Sequence, residues 1–85
     1  VTEYSLRLSS SAEKELDALD DPFFSRVDAK ILALEKSPRP SGAKKLKGLQ
    51  DTWRIRVGDY RVIYTVDDAD HVVTVVRVAH RSRAY

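Results

Sequence analysis

The chain has no cysteine, no methionine, only three glycines and three prolines, and no apolar run longer than a few residues. Without thiolates it can build neither a thiolate zinc site nor a disulfide framework. Two histidines do not make a structural metal site alone, so no metal and no cofactor is expected. A secreted domain this small would ordinarily be stapled by disulfides, which points to the cytoplasm. No stretch approaches the roughly 20 apolar residues of a membrane span, and no charged start followed by an apolar run marks a signal peptide. The missing methionine and the valine in first place lead to the expectation of a processed or trimmed N-terminus. Scarce glycine and proline, with 42% hydrophobic and 33% charged residues, exclude fibrous and disordered classes. What remains is one globular domain over residues 1–85. A chain of that length buries only about 60% of its unfolded surface and has a single thin core.

Charge is modest in total, +2, but uneven. Residues 1–42 carry six basic and eight acidic side chains; residues 43–85 carry nine and five. An anionic partner would therefore dock on the second half.

Tyr4 to Leu8 alternates apolar and polar residues, as a half-buried strand does. Ser10 followed by Glu13 fits a capping box, and Ala12, Leu16 and Leu19 continue at helical spacing. Asp21 suits an N-cap and Pro22 a first helical position. Phe24, Val27, Ile31 and Leu34 form the stripe of a second helix, which Ser37-Pro38 ends. Residues 38–42 are a loop, and beyond them the period changes to two. Lys44 to Lys47 reads as a short strand, Thr52 to Val57 as a strictly alternating one, Gly58-Asp59 as a turn and Tyr60 to Val66 as the return strand. After the Asp67–Asp70 turn, residues 71–79 form a strand apolar on both faces, which its pattern does not orient.

These pieces predict an α+β fold, β-α-α-β-β-β, with two helices packed on one face of a mainly antiparallel sheet. Trp53, Ile55, Val62 and Tyr64 should meet Leu16, Val27 and Ile31. Arg54, Arg56 and Arg61 share the opposite parity, on the uncovered face. They are either solvent-facing residues of a half-wet sheet or an anion site. Guanidinium groups on adjacent strands repel one another unless an anion joins them, which favours the second reading.

The block Gly58-Asp59-Tyr60-Arg61-Val62-Ile63-Tyr64 and the ending His80-Arg81-Ser82-Arg83-Ala84-Tyr85 resemble the RelE/ParE superfamily of toxins from type II toxin–antitoxin systems. The ending is most similar to the RelE branch. The resemblance spans nearly the whole chain. It implies a ribosome-dependent endoribonuclease that cuts mRNA and inhibits translation, a cognate antitoxin, and a toxin–antitoxin hetero-oligomer. By position it implies that Arg54, Arg56, Arg61, Arg81 and Tyr85 are the catalytic residues. Some RelE members carry lysine where Arg54 and Arg56 stand.

RNA cleavage by the neighbouring 2′-OH gives a 2′,3′-cyclic phosphate and a 5′-OH. It requires a base, donors to the phosphorane and a proton for the leaving oxygen. Guanidinium groups suit the donor role. All four glutamates lie in the first half, away from the basic strands, which leaves Tyr85 or His80 as base. Tyr85 is favoured, because His80 and Arg81 point to opposite faces if the strand continues. Lys44, Lys45 and Lys47 are expected to contact RNA phosphates. The alternative within the same superfamily is a ParE-like toxin that inhibits DNA gyrase and has no ribonuclease activity.

Overall fold

The computed structural model describes residues 3–82. Its elements are β1 (Ser5–Leu8), α1 (Ser10–Asp17), α2 (Phe23–Ala33), β2 (Lys44–Lys45), β3 (Thr52–Val57), β4 (Tyr60–Asp67) and β5 (Val72–His80). The five strands form one sheet in the order β1-β5-β4-β3-β2. The ladders are antiparallel except β1 on β5, which is parallel because the α1–α2 pair carries the chain back over the sheet. Among the described residues no helix is long and apolar enough to cross a membrane.

Both helix starts sit one residue from their expected places. Ser9, not Ser10, caps α1. Its extended backbone lets Oγ accept from the Ala12 amide at 3.1 Å, and the same hydroxyl donates to the Val76 carbonyl at 3.1 Å. Pro22 stands at the N-cap of α2 rather than inside it. Asp21 supplies the capping oxygen from one residue further back, accepting from the Ser25 amide and hydroxyl at 3.2 and 2.6 Å.

The core lies between the helices and one face of the sheet. Ala12, Leu16, Val27, Ile31 and Leu34 pack against Ile55, Val57, Val62, Tyr64 and the valines of β4 and β5, with Trp53 partly buried beside them. Tyr64 is fully buried, and its hydroxyl donates to the Pro38 carbonyl at 2.7 Å. Burial pushes its pKa up to about 12.

The ambiguity of β5 has a local cause. Ile63 pairs with Arg77 and Tyr64 with Val75, so Val76 is an extra residue. This bulge switches parity along the strand. Val73 and Val75 face the helices before it, and Val78 does so after it.

A polar clasp closes the end of the sheet away from the β3–β4 hairpin. Arg39 donates to both oxygens of Asp68 at 3.2 and 2.6 Å, and the Tyr4 hydroxyl donates to Oδ1 at 2.6 Å. The Arg39 guanidinium also lies 5.3 Å from the centre of the Trp53 ring. The bonds from Arg39 and then Tyr4 hold the Asp68 carboxyl below its ordinary range, and the bond to Asp68 raises the Tyr4 phenol. A carboxyl whose folded pKa is depressed stabilises the fold above its unfolded pKa, near 4. That contribution is lost as pH falls through the folded value. The difference in melting temperature between wild type and Asp68→Asn is therefore expected to be present at pH 7 and to shrink below about pH 4. Thermal unfolding of both proteins across that range measures it.

Candidate nucleic-acid interface

The β3–β4 hairpin places the basic residues. Val57 pairs with Tyr60, so its loop is only Gly58-Asp59. Gly58 takes φ 60, a conformation that costs glycine little, and lets the chain reverse in two residues. Directly beyond this turn Arg56 stands opposite Arg61. Alternation then puts Arg54 opposite Ile63 and Thr52 opposite Thr65 on the same face. Neither helix covers this face. The expected parity of Arg54, Arg56 and Arg61 is what the structure shows.

Like charges directly opposite each other destabilise a sheet. The register nonetheless sets Arg56 and Arg61 side by side on one face of the sheet. Arg54 sits about 7 Å along β3 from Arg56. It is 7% exposed and is the one buried charged residue among those described. Its side chain makes no hydrogen bond or ion pair among the described residues. The open parity of Arg54 therefore did not make it a solvated residue.

The end of β5 docks on the hairpin. The Arg81 amide donates to the Asp59 carbonyl at 2.7 Å, and Arg81 Nε lies 3.9 Å from Asp59 Oδ1. Arg81 thus leaves the sheet at the same end as Arg56 and Arg61. Asp59, read from sequence only as a turn residue, is what anchors it. His80 pairs with Tyr60, and its ring meets the Tyr60 ring edge-on at 5.6 Å, on the helix side of the sheet. Nδ1 contacts Ser82 Oγ at 3.0 Å. His80 is thus separated from the arginine row by the thickness of the sheet. Tyr85 lies outside the described residues.

The three lysines divide. Lys44 pairs with Arg54 and shares its face, whereas Lys45 pairs with Trp53 on the helix side and Lys47 lies in the loop after β2. No hydrogen bond or ion pair among the described residues joins a glutamate to Arg54, Arg56 or Arg81. Glu15 instead bridges α1 to β5, accepting from Arg77 Nε at 3.1 and 3.2 Å and from the Val78 amide at 2.9 Å. Among the described residues no group of three or more His, Cys, Asp or Glu could hold a metal ion.

Residues 6–85 match the family described as the ParE toxin of the type II toxin–antitoxin system parDE. The chain is 32% identical over 83 residues to the mRNA interferase toxin RelE of Escherichia coli K12, covering 95% of this chain and 86% of that protein. It is 29% identical over 83 residues to the toxin RelE of Mycobacterium tuberculosis, covering 96% of this chain and 86% of the other. Its fold matches the archaeal RelE–RelB complex of Pyrococcus horikoshii with a TM-score of 0.83 at 32% identity, over 99% of this chain and all of that one.

Proposed function

The chain belongs to the RelE/ParE superfamily of type II toxins, and from that premise we propose that it is a RelE-type endoribonuclease that cuts mRNA on the ribosome in the cytoplasm. The observation that carries this reading is the in-register Arg56–Arg61 pair on the sheet face opposite the helices, with Arg81 docked on the same hairpin. Three guanidinium groups at one end of a sheet suit a phosphate whose charge grows as the 2′-OH attacks. Arg61 and Arg56 hold the non-bridging oxygens, and Arg54 adds positive potential one row away. Arg81 sits by the leaving 5′ oxygen, where its charge stabilises the departing alkoxide. Tyr85 removes the 2′-OH proton, so the products are a 2′,3′-cyclic phosphate and a 5′-OH. The departing 5′ oxygen takes its proton from water, because no arginine of this set readily gives one up, which makes orientation by the ribosome a large part of the rate. Lys44, Lys45 and Lys47 add salt-dependent attraction to RNA phosphates, Lys44 on the open face and the other two from the rim.

An antitoxin is the second partner. The Pyrococcus relative is seen bound to RelB, and a like complex would hold this chain inactive as a toxin–antitoxin hetero-oligomer. Primer extension on mRNA from cells making the chain tests the activity. Cuts within translated messages are expected in wild type. The family model's description favours one other reading, a ParE-like toxin acting on DNA gyrase. Accumulated cleaved gyrase–DNA complexes with intact mRNA would select it.

A further inference from the structure

β2 covers β3 only at Trp53 and Arg54, so the edge of β3 from Ile55 onward is left open. A cleft of about 390 Å³ lies there, between α2, the 40–42 loop and the strand. Four cations line it: Lys30 from α2, Lys44 from β2, and Arg54 and Arg56 from β3. Ala33 and Ile55 give it an apolar patch. No acidic side chain lines it.

Arg54 is the informative member. Its residue is 93% buried by exposure of 7%, yet no carboxylate meets it among the described residues. Buried charges are ordinarily paired. None of its nitrogens is both sealed from water and unbonded. The guanidinium therefore keeps contact with solvent where it lines the cleft. A buried, unpaired cation with three more around the same opening is a site built for an anion. The volume lies at the lower end of the range for small-ligand pockets, larger than a bare phosphate needs. The apolar patch beside the cations calls for a ligand with a phosphate at one end and a flat or apolar body at the other.

We propose that this cleft is a nucleotide subsite. It takes a nucleoside monophosphate unit, with the phosphate among Lys30, Lys44 and Arg54 and the base against Ala33 and Ile55. The unit comes either from an RNA strand crossing the arginine row, through the shared Arg56, or from a free nucleotide. Only the first source rests on the RNA-cleaving reading. The subsite would extend recognition from the hairpin end of the open face around the β3 edge to α2. It would give that strand a base preference at a position away from the cut.

The test is calorimetric titration of the purified chain with 5′-AMP, 5′-CMP and inorganic phosphate, repeated for Lys30→Glu and Ala33→Trp. Lys30 and Ala33 are exposed on α2, so both variants should fold. One reverses a charge at the cleft, and the other fills the cleft without changing any charge. Saturable one-to-one binding of at least one monophosphate is expected. Each variant should weaken it about tenfold or more, equivalent to about 1.4 kcal/mol. A short all-deoxy-2′ oligonucleotide, which cannot be cut, separates the sources. Displacement of the monophosphate by it places the subsite on the RNA track, and simultaneous binding makes it a free-nucleotide site. Three results overturn the proposal: no monophosphate binding, phosphate bound as tightly as the nucleotide, or binding unchanged in both variants. A poly-glutamate peptide that binds while nucleotides do not would assign the cleft to an acidic protein segment instead. These titrations do not depend on cleavage, so they stand or fall apart from the ribonuclease activity.

Discussion

Arg61→Ala is expected to lower mRNA cleavage by at least about 10²-fold, the loss that follows removal of one well-placed oxyanion donor. Arg61 is the second residue of β4, one position beyond a two-residue turn, paired with Arg56 on one side and Ala79 on the other, so its backbone has little freedom. A donor held in advance costs no reorganisation when charge develops on the phosphate. The fold should survive, because the neighbours that pack the core, Val62 and Tyr64, belong to the far side of the thin sheet or the next position along it. Arg61→Lys should fall between wild type and alanine, since it keeps the charge and loses the bidentate fork. Single-turnover cleavage on programmed ribosomes, with circular dichroism as a check on folding, reads both variants. A wild-type rate for a folded Arg61→Ala protein would take Arg61 out of the site.

The legible parts of this molecule are those where one face of an element is buried. Trp53, Ile55 and Val57 alternate against Thr52, Arg54 and Arg56 because β3 lies on the helices with one side only. That alternation alone put the arginines on the open face. Phe24, Val27, Ile31 and Leu34 marked α2 for the same reason. Where both faces are apolar the argument stops. β5 is central, between β1 and β4, and its bulge at Val76 breaks the period that would have oriented it. The parallel placement of β1 at the sheet edge depends on where two helices return the chain, which no local pattern encodes. The burial of Arg54 escaped notice because parity says which face a residue occupies, not how deeply it lies there. The clasp of Arg39 and Asp68 joins residues 29 apart in sequence, each unremarkable in its own loop. Asp59 looked like turn chemistry, and only the docking of Arg81 gives it a second role.

Tyr85→Phe is expected to lower the chemical step by about 10²–10⁴-fold, the range for a lost acid–base catalyst. The substitution keeps the ring and any stacking and removes the titrating group. The assignment to Tyr85 is a proposal that rests on the sequence and on the elimination of other bases. Glu15 is committed to Arg77 and the Val78 amide on α1's side of β5. Among the histidines, His80 faces Tyr60 on the helix side, across the sheet from Arg61. His71 stacks edge-on against Tyr4 at 5.0 Å, at the start of β5. Tyr64, sealed in the core with its pKa pushed up to about 12, shows the opposite tuning from what a base needs. A free phenol is only about 0.1% ionised at pH 7. If Tyr85 acts on a phosphate held by Arg61 and Arg81, as proposed, those cations would favour the phenolate and enlarge that fraction. The base acts in its deprotonated form, so the single-turnover rate should rise with pH until the phenol is fully ionised. Tyr85→Phe should flatten that rise as well as lower the rate. Ribosome binding should barely change, since every arginine and lysine of the interface remains. His80→Gln should have a smaller effect and keep the wild-type pH profile. If Tyr85→Phe cleaves at the wild-type rate while His80→Gln is inactive, the proton passes to His80, and the C-terminal end of β5 must then turn its histidine to the open face when RNA binds.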